Sequence, residues 1–499
     1  MTDYQCTGLS LKRTFSILAS MLVLNNCSPK NGDYIEFPPA PVIPSAEQVT
    51  YQQMELIGFI HFSINTFTGK EWGYGDENPL LFNPSELNVE QWVLAAKSGG
   101  LKELILTAKH HDGFCLWPSS YTEHSVRNSP YKNGNGDIVR EFAEACRKHG
   151  LKIGLYLSPW DRNHKDYGRQ EYITYYRNQI RELLTEYGQI NEIWFDGANG
   201  GDGYYGGANE TRRIDRKTYY GWDSTFRLVK ELQPGILIFS DAGPDIRWVG
   251  NEKGYAGETF WSTIKSDNLI IGASNPGYLN TGDPDGDKWL IGQCDVSIRP
   301  GWFYHKEEDP FVKTAEELID IYYKSVGRNG ILLINLPPDQ RGIIHEKDVA
   351  SLMTFKEYKD ETFSKNLAEY AVASATNYRL THPAFHAGNM LDNNPGTFWA
   401  ADDSIFSAEL IIDPGRSLTF DRIVLQEPVD CGQRISKFSL LARIENEWKI
   451  IYEGTTIGYK RILKIDPFTS SMLKLQIQES LYPPVISEFG LYMSPQNFP

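Results

Sequence analysis

The stretch INEIWFDGANGG at 190–201 runs an apolar, strand-like segment into Asp196 and then into glycines. A carboxylate at the mouth of a buried strand is available as a nucleophile, an acid or a base. Polar groups close other apolar runs in the same way. His61 follows LIGFIHF, His110 and His111 end KELILTAKHH, Tyr156 to Asp161 close KIGLYLSPWD, and Asp241 ends ILIFSD. Two glutamates lie further on, Glu252 in RWVGNEKG and Glu258 in GYAGETFW. Each has an ordinary reading as well. An aspartate after a strand commonly caps a turn, adjacent strand residues such as the two histidines point to opposite faces, and either glutamate suits a solvated loop. The three histidines carry metal-ligand chemistry, but no metal-binding motif accompanies them.

The elements that must position these groups alternate along the chain. Strand-like runs at 56–63, 102–111, 152–159, 191–197, 236–243 and 331–338 are interleaved with helical periodicity at 85–100, 136–150, 171–187, 216–233 and 314–327. A serine is expected to cap the first of these helices, and Asp137 and Gly150 to bound the second. Several strands are continuous apolar runs, as strands covered on both faces should be. This predicts an α/β fold, a (β/α)8-like TIM barrel over 56–360, in which residues at the C-terminal strand ends converge on one pocket. A doubly wound open sheet is the alternative, but no glycine-rich phosphate loop follows 56–63. After about 365 the helical pattern fades. Short alternating segments such as SAELIID, FDRIVLQE and KFSLLARI predict a C-terminal β-sandwich domain over 365–499.

Composition bounds the partners. The 499 residues are 41% hydrophobic and 23% charged, which fits a globular chain. The net charge of -15, with no Lys/Arg cluster, argues against nucleic acid. Lys12 and Arg13 precede TFSILASMLVLNNC, an apolar stretch too short to span a bilayer and laid out like a secretory signal. Cys27 sits where a bacterial lipoprotein would be processed. The expectation is a targeting segment over 1–30 and a Pro-rich tether over 31–55. The protein is then exported to the periplasm or cell surface, and touches membrane only through a lipid on Cys27. A plain cleaved signal is the alternative. Cys115, Cys146, Cys294 and Cys431 show no CxxC spacing.

The segments GFIHFSINTF, KEWGYGDENP, LTAKHHDGFCLW, GLYLSPWD, EIWFDGANG, RWVGNEKG, CDVSIRPGWFYH and RNGILLINLPPDQRG occur in one order over about 56–350. Together they resemble the α-L-fucosidases of glycoside hydrolase family 29. The resemblance implies a retaining exo-glycosidase acting on fucosylated oligosaccharides or glycoconjugates, with no cofactor for catalysis. It makes Asp196 the nucleophile and Glu252 the acid/base, with Glu258 as the other candidate. It assigns hydroxyl contacts to His61, Glu71, Trp72, His110 and His111, and places Tyr156 near the nucleophile. Phe59 and Trp302 are candidates for the wall facing the fucose methyl group, and Arg247 for steadying a carboxylate in the site. WVGNE is similar to the branch cleaving α-1,3 and α-1,4 linkages. Gln293 stands where relatives often carry Glu. MLDNNPGTFWAADD resembles the discoidin-like (F5/8 type C-like) sandwich of carbohydrate-binding modules, which implies a structural Ca2+ held by Asp392, Thr397 and Glu488. Two rival readings are a metal-dependent hydrolase built on the histidines and a glycan-binding protein without turnover.

Overall fold

The computed structural model describes residues 37–496. The expected targeting segment, including Cys27, lies outside the described residues. Among the described residues eight strands close into a parallel barrel: β1 (Leu56–Ile60), β2 (Glu103–Lys109), β3 (Lys152–Leu157), β4 (Glu192–Trp194), β5 (Leu237–Phe239), β6 (Ile246–Trp248), β7 (Ile291–Ser297) and β8 (Ile331–Asn335). They follow one another round the barrel in chain order, and β8 pairs back with β1. All but Lys152 and Trp248 are buried. That is the consequence of an outer layer of helices and an inner layer of side chains on the same short strands.

The α-helices longer than four residues are α1 (Ala46–Gln52), α2 (Val89–Ser98), α3 (Ile138–His149), α4 (Gln170–Glu186), α5 (Trp222–Leu232), α6 (Pro276–Thr281), α7 (Ala315–Lys324) and α8 (Glu346–Thr362). As expected, Asp137 caps α3 by accepting the Arg140 amide, and Gly150 ends it at φ 74°. The expected serine cap of α2 is not used; Asn88 accepts the Gln91 amide instead. The reason is tertiary. The amides of Glu86 and Asn88 bond to the carbonyls of Arg341 and Gly342, which holds 86–88 outside the helix.

Two strands have no counterpart in the sequence expectation. β6 is three residues long with a charged centre, so it shows no apolar run, and β7 mixes Gln293 and Asp295 into its apolar residues. Residues 240–245 join β5 to β6 with no helix between them. The segment expected to be a tether also needs correction. Ser45 and Gln48 form a capping box that starts α1, and Tyr51 and Gln52 are buried. Gln48 Nε2 donates to the carbonyls of Asp245 and Trp289, so α1 seals one end of the barrel. Behind it, the Tyr51 hydroxyl donates to Glu192, and Gln293 donates to both Tyr51 and Glu192 while accepting from Trp194 Nε1 at 2.7 Å. Gln293 therefore lies under Trp194, in the barrel floor.

α8 leads into an antiparallel sandwich. Its strands are β9 (Val372–Ala375), β10 (Ala408–Asp413), β11 (Leu418–Gln426), β12 (Ile435–Ile444), β13 (Glu447–Gly454), β14 (Arg461–Ser470), β15 (Leu473–Ser480) and β16 (Glu488–Tyr492). One sheet has the order β9-β10-β15-β12-β13 and the other β14-β11-β16. Inward residues including Trp399, Leu410, Phe420, Phe438 and Phe489 form a separate core.

Candidate active site

β4 delivers the central carboxylate. Asp196 lies two residues past the strand, where the chain turns into Gly197. Oδ1 accepts the Ala198 amide at 2.6 Å and Oδ2 accepts the Tyr156 hydroxyl at 3.1 Å. His111 Nε2 stands 3.9 Å from Oδ2. Burial pushes the Asp196 carboxyl above its ordinary range, and the two donated hydrogen bonds oppose that by favouring the anion. Its side chain remains 25% exposed, so it can meet a ligand. A carboxylate gripped by two donors with one edge open is suited to in-line attack.

The histidines at the ends of β1 and β2 present defined nitrogens. Asn335 Nδ2 donates to Ser297 Oγ and to the Trp302 carbonyl, so its Oδ1 accepts from His61 Nδ1 at 2.8 Å. The Ser158 hydroxyl donates to the Trp160 carbonyl, so its oxygen accepts from His111 Nδ1 at 2.7 Å. In the neutral ring this leaves Nε2 of both histidines as acceptors. Burial holds both near pKa 3, and holds His110 well below its ordinary value. His110 Nδ1 is buried with no hydrogen-bond partner among the described residues. Neutral acceptors and an orphaned ring nitrogen match hydroxyl groups better than anions. The rings of Phe59, His61, His110, Tyr156 and Trp302 form one aromatic wall, with Phe59 4.4 Å from His61 and His61 5.1 Å from Trp302.

The second carboxyl comes from the loop after β6. Glu252 Oε2 accepts Trp302 Nε1 at 3.1 Å. Burial raises its pKa, Trp302 lowers it, and the charges of Asp196 and Glu71 raise it further. Asp196 and Glu252 line one cleft of about 320 Å3, together with Trp194, Asp241, Trp248 and Asp295. Glu71 accepts the Trp302 amide at 2.9 Å and His305 Nε2 at 2.6 Å, so it fastens the loop that carries Trp302. Trp72 is 49% exposed and packs edge-on against His111 and Trp160, at the rim.

Glu258 and Arg247 lie elsewhere. Glu258 pairs with Arg328 at 2.6 Å and with Arg461 of the sandwich, so it bridges the two domains. Arg247 was expected to steady a carboxylate in the site. It is instead fully buried over the Phe260 ring, donating to the carbonyls of Leu279, Trp261, Ser262 and Leu290. Its place midway along β6 explains this, since its neighbours Ile246 and Trp248 point to the opposite face.

Several site residues were missed. Asp295 is buried on β7 and accepts Trp248 Nε1 at 2.8 Å. Burial and then the charge of Glu252 push its pKa well up. Asn335 and Ser158 fix the histidine tautomers. Asn335 ends β8 and Ser158 follows β3 inside the 156–161 stretch already named, so both follow from the rule that barrel strand ends point into the site, and Asp295 follows once β7 is recognised as a strand. Among the described residues no group of three or more His, Cys, Asp or Glu side chains is arranged to hold a metal ion.

Comparison with known proteins agrees with this geometry. The family profile for alpha-L-fucosidase matches residues 45–360, and that for the F5/8 type C domain matches residues 371–487. Alpha-L-fucosidase 1 of Arabidopsis thaliana is 43% identical over 486 residues, covering 96% of this chain and 92% of its own. A putative alpha-L-fucosidase from Bacteroides thetaiotaomicron superposes with a TM-score of 0.86 at 39% identity, covering 92% of this chain and all of its own. A Ruminococcus gnavus glycoside hydrolase 29 fucosidase, solved with fucose, gives 0.84 at 34% identity over 95% and 99% of the two chains. The chain belongs to the α-L-fucosidase family, glycoside hydrolase family 29, and carries a C-terminal F5/8 type C domain.

Proposed function

We propose that this α-L-fucosidase releases terminal fucose with retention of configuration, through a covalent fucosyl-enzyme on Asp196. The observation that carries the reading is one cleft lined by two carboxyl groups held in different ways. Burial raises both, but Asp196 is gripped by two donors that favour its anion, whereas Glu252 has the single donor Trp302 and is raised further by its negative neighbours Asp196 and Glu71. Retaining glycosidases need that asymmetry. In the first step the Asp196 carboxylate attacks the anomeric carbon as protonated Glu252 gives its proton to the departing oxygen. In the second, ionised Glu252 takes a proton from water, which attacks the same carbon and releases Asp196. The neutral histidines accept from the fucose hydroxyls, and the Phe59–Trp302 wall faces the methyl group.

The linkage is read as α-1,3 or α-1,4, as on branched Lewis-type glycans. The WVGNE wording supports it, together with the placing of Glu252 rather than Glu258 in the cleft. The test is azide rescue. Asp196→Ala should turn over an activated aryl fucoside only with azide and give inverted fucosyl azide; Glu252→Ala should give the retained azide. Retained product from Glu258→Ala would overturn the assignment. A panel of trisaccharides differing only in linkage tests the specificity.

Two further expectations belong to this reading. Burial first, and then the charge of nearby Asp392, push Glu488 to about pKa 7, and Asp392 accepts the Thr397 hydroxyl at 2.7 Å. Two neighbouring carboxyls beside a hydroxyl suit a hard cation, so these residues would hold Ca2+; a melting temperature unmoved by chelator would refute it. Export with lipid on Cys27 is tested by mass spectrometry of the mature N-terminus.

A further inference from the structure

The cleft beside Asp196 is walled on one side by a loop at 270–276, and the structure shows what holds that loop. Asp241, two residues past β5 and 9% exposed, accepts the Gly272 amide on Oδ2 at 2.8 Å. Arg216 Nη1 donates to the carbonyl of the same Gly272. One residue is thus gripped through its N–H and its C=O from two separate elements. Gly272 has φ +76°, and a Cβ there would lie 2.5 Å from the Gly197 carbonyl oxygen and 2.4 Å from Asn199 Nδ2. Its backbone therefore packs straight onto the loop that follows the nucleophile, a contact that only glycine permits. Gly197 faces the other side of the same junction, where a Cβ would stand 3.0 Å from Asp241 Cγ. Asn199 closes the nucleophile loop on itself by donating to the Gly197 carbonyl at 2.6 Å. Ser274 does the same for its own loop, bonding the amide and carbonyl of Ile270.

We propose that Asp241 is a positioning residue that sets leaving-group specificity, by latching the 270–276 loop onto the nucleophile loop with Arg216 as the second half of the latch. The proposal rests on the reading of Asp196 and Glu252 as the reacting pair. Tyr156 and His111 approach Asp196 at Oδ2, on the side of the aromatic wall where the fucose ring would sit. The cleft lined by Gly272, Ala273, Ser274 and Pro276 also contains Glu252, and that wall contributes none of its histidines to it. Glu252 protonates the departing oxygen, so this cleft receives the departing sugar. The loop's contribution is shape and the Ser274 hydroxyl. Both depend on Gly272 being pinned, because an unlatched loop would have to be ordered at the cost of substrate binding.

The experiment compares kcat/KM for a fucosylated trisaccharide with that for 4-nitrophenyl α-L-fucoside. Asp241→Ala and, separately, Arg216→Ala should lower the trisaccharide-to-aryl ratio about 10-fold or more, chiefly through KM for the trisaccharide. Asp241→Asn keeps an oxygen able to accept the Gly272 amide and should restore the ratio to within about 3-fold. Arg216 is exposed, so its variant separates the latch from any folding defect of Asp241→Ala. Equal losses on both substrates, an unchanged ratio, or failure of Asp241→Asn to rescue would each overturn the latch. None of these would touch the Asp196–Glu252 reading, which fails only on the azide test.

Discussion

Trp302 Nε1 donates to Glu252 Oε2 at 3.1 Å, while the amide of the same tryptophan donates to Glu71. On the proposed reading of Glu252 as the acid/base, the indole is both a wall of the site and the group that holds that carboxyl in place. Trp302→Phe keeps the ring and removes the donor. The glycosylation step needs Glu252 protonated, and the lost bond favoured its anion. The basic limb of the kcat/KM profile should therefore move to higher pH, and kcat/KM at the optimum should fall about 10-fold, the worth of a hydrogen bond to a charged group. A pH profile with an aryl fucoside checks both, and an unmoved basic limb would refute the role.

Ser158 decides which nitrogen of His111 accepts. Ser158→Ala removes the acceptor for His111 Nδ1–H, so the ring can take the other tautomer and offer a donor where the sugar needs an acceptor. KM should rise about 3- to 10-fold with kcat changed less. Burial holds His111 near pKa 3, so the rise should be the same from pH 5 to pH 8.

Glu252 and Glu258 are six residues apart and do unrelated work. Glu252→Gln should cut turnover of a trisaccharide about 10²- to 10⁴-fold, and less for an aryl fucoside whose leaving group needs no proton. Glu258→Gln should leave turnover of both substrates within about 3-fold. It should lower the melting temperature by about 1–3 °C, because it weakens a half-exposed ion-pair cluster between the domains.

Stability should fall as pH rises through neutrality. Burial raises Glu103 from its ordinary 4.5 to about 8, Asp112 from 3.8 to about 8, and Asp241 from 3.8 to about 7. Below about pH 4 both folded and unfolded chains hold these protons. Above it the unfolded chain releases them while the folded chain keeps them; the buried histidines, lowered from 6.5, oppose this until about pH 6.5, so the decline is expected between pH 7 and about pH 8. Thermal melts at pH 7, 7.5 and 8 should show this slope, and Glu103→Gln, which is neutral throughout, should flatten it.

The barrel was readable wherever an apolar run of five or more residues met a helix with a clear stop, as in β2 followed by α3 and Gly150. It was unreadable at β6, where three residues suffice because their neighbours supply the burial, and where Arg247 looks like a site residue by composition alone. Asp196 and the paired histidines could be named from their positions at strand ends. Arg247 could not be placed, since the face of a three-residue strand depends on its register with β5 and β7.

By itself the sequence determined the kinds of side chain available and the order in which they leave the strands. Strand alternation and the ends of apolar runs are local properties, and local chemistry reports them. Only the tertiary structure decided which glutamate reaches the cleft, which histidine nitrogen is left to accept, and that Asp241 and Arg216 meet on one glycine. Those choices come from contacts between residues dozens to hundreds of positions apart. Burial and hydrogen-bond geometry fix such contacts once the barrel closes, and no short window of sequence contains both partners.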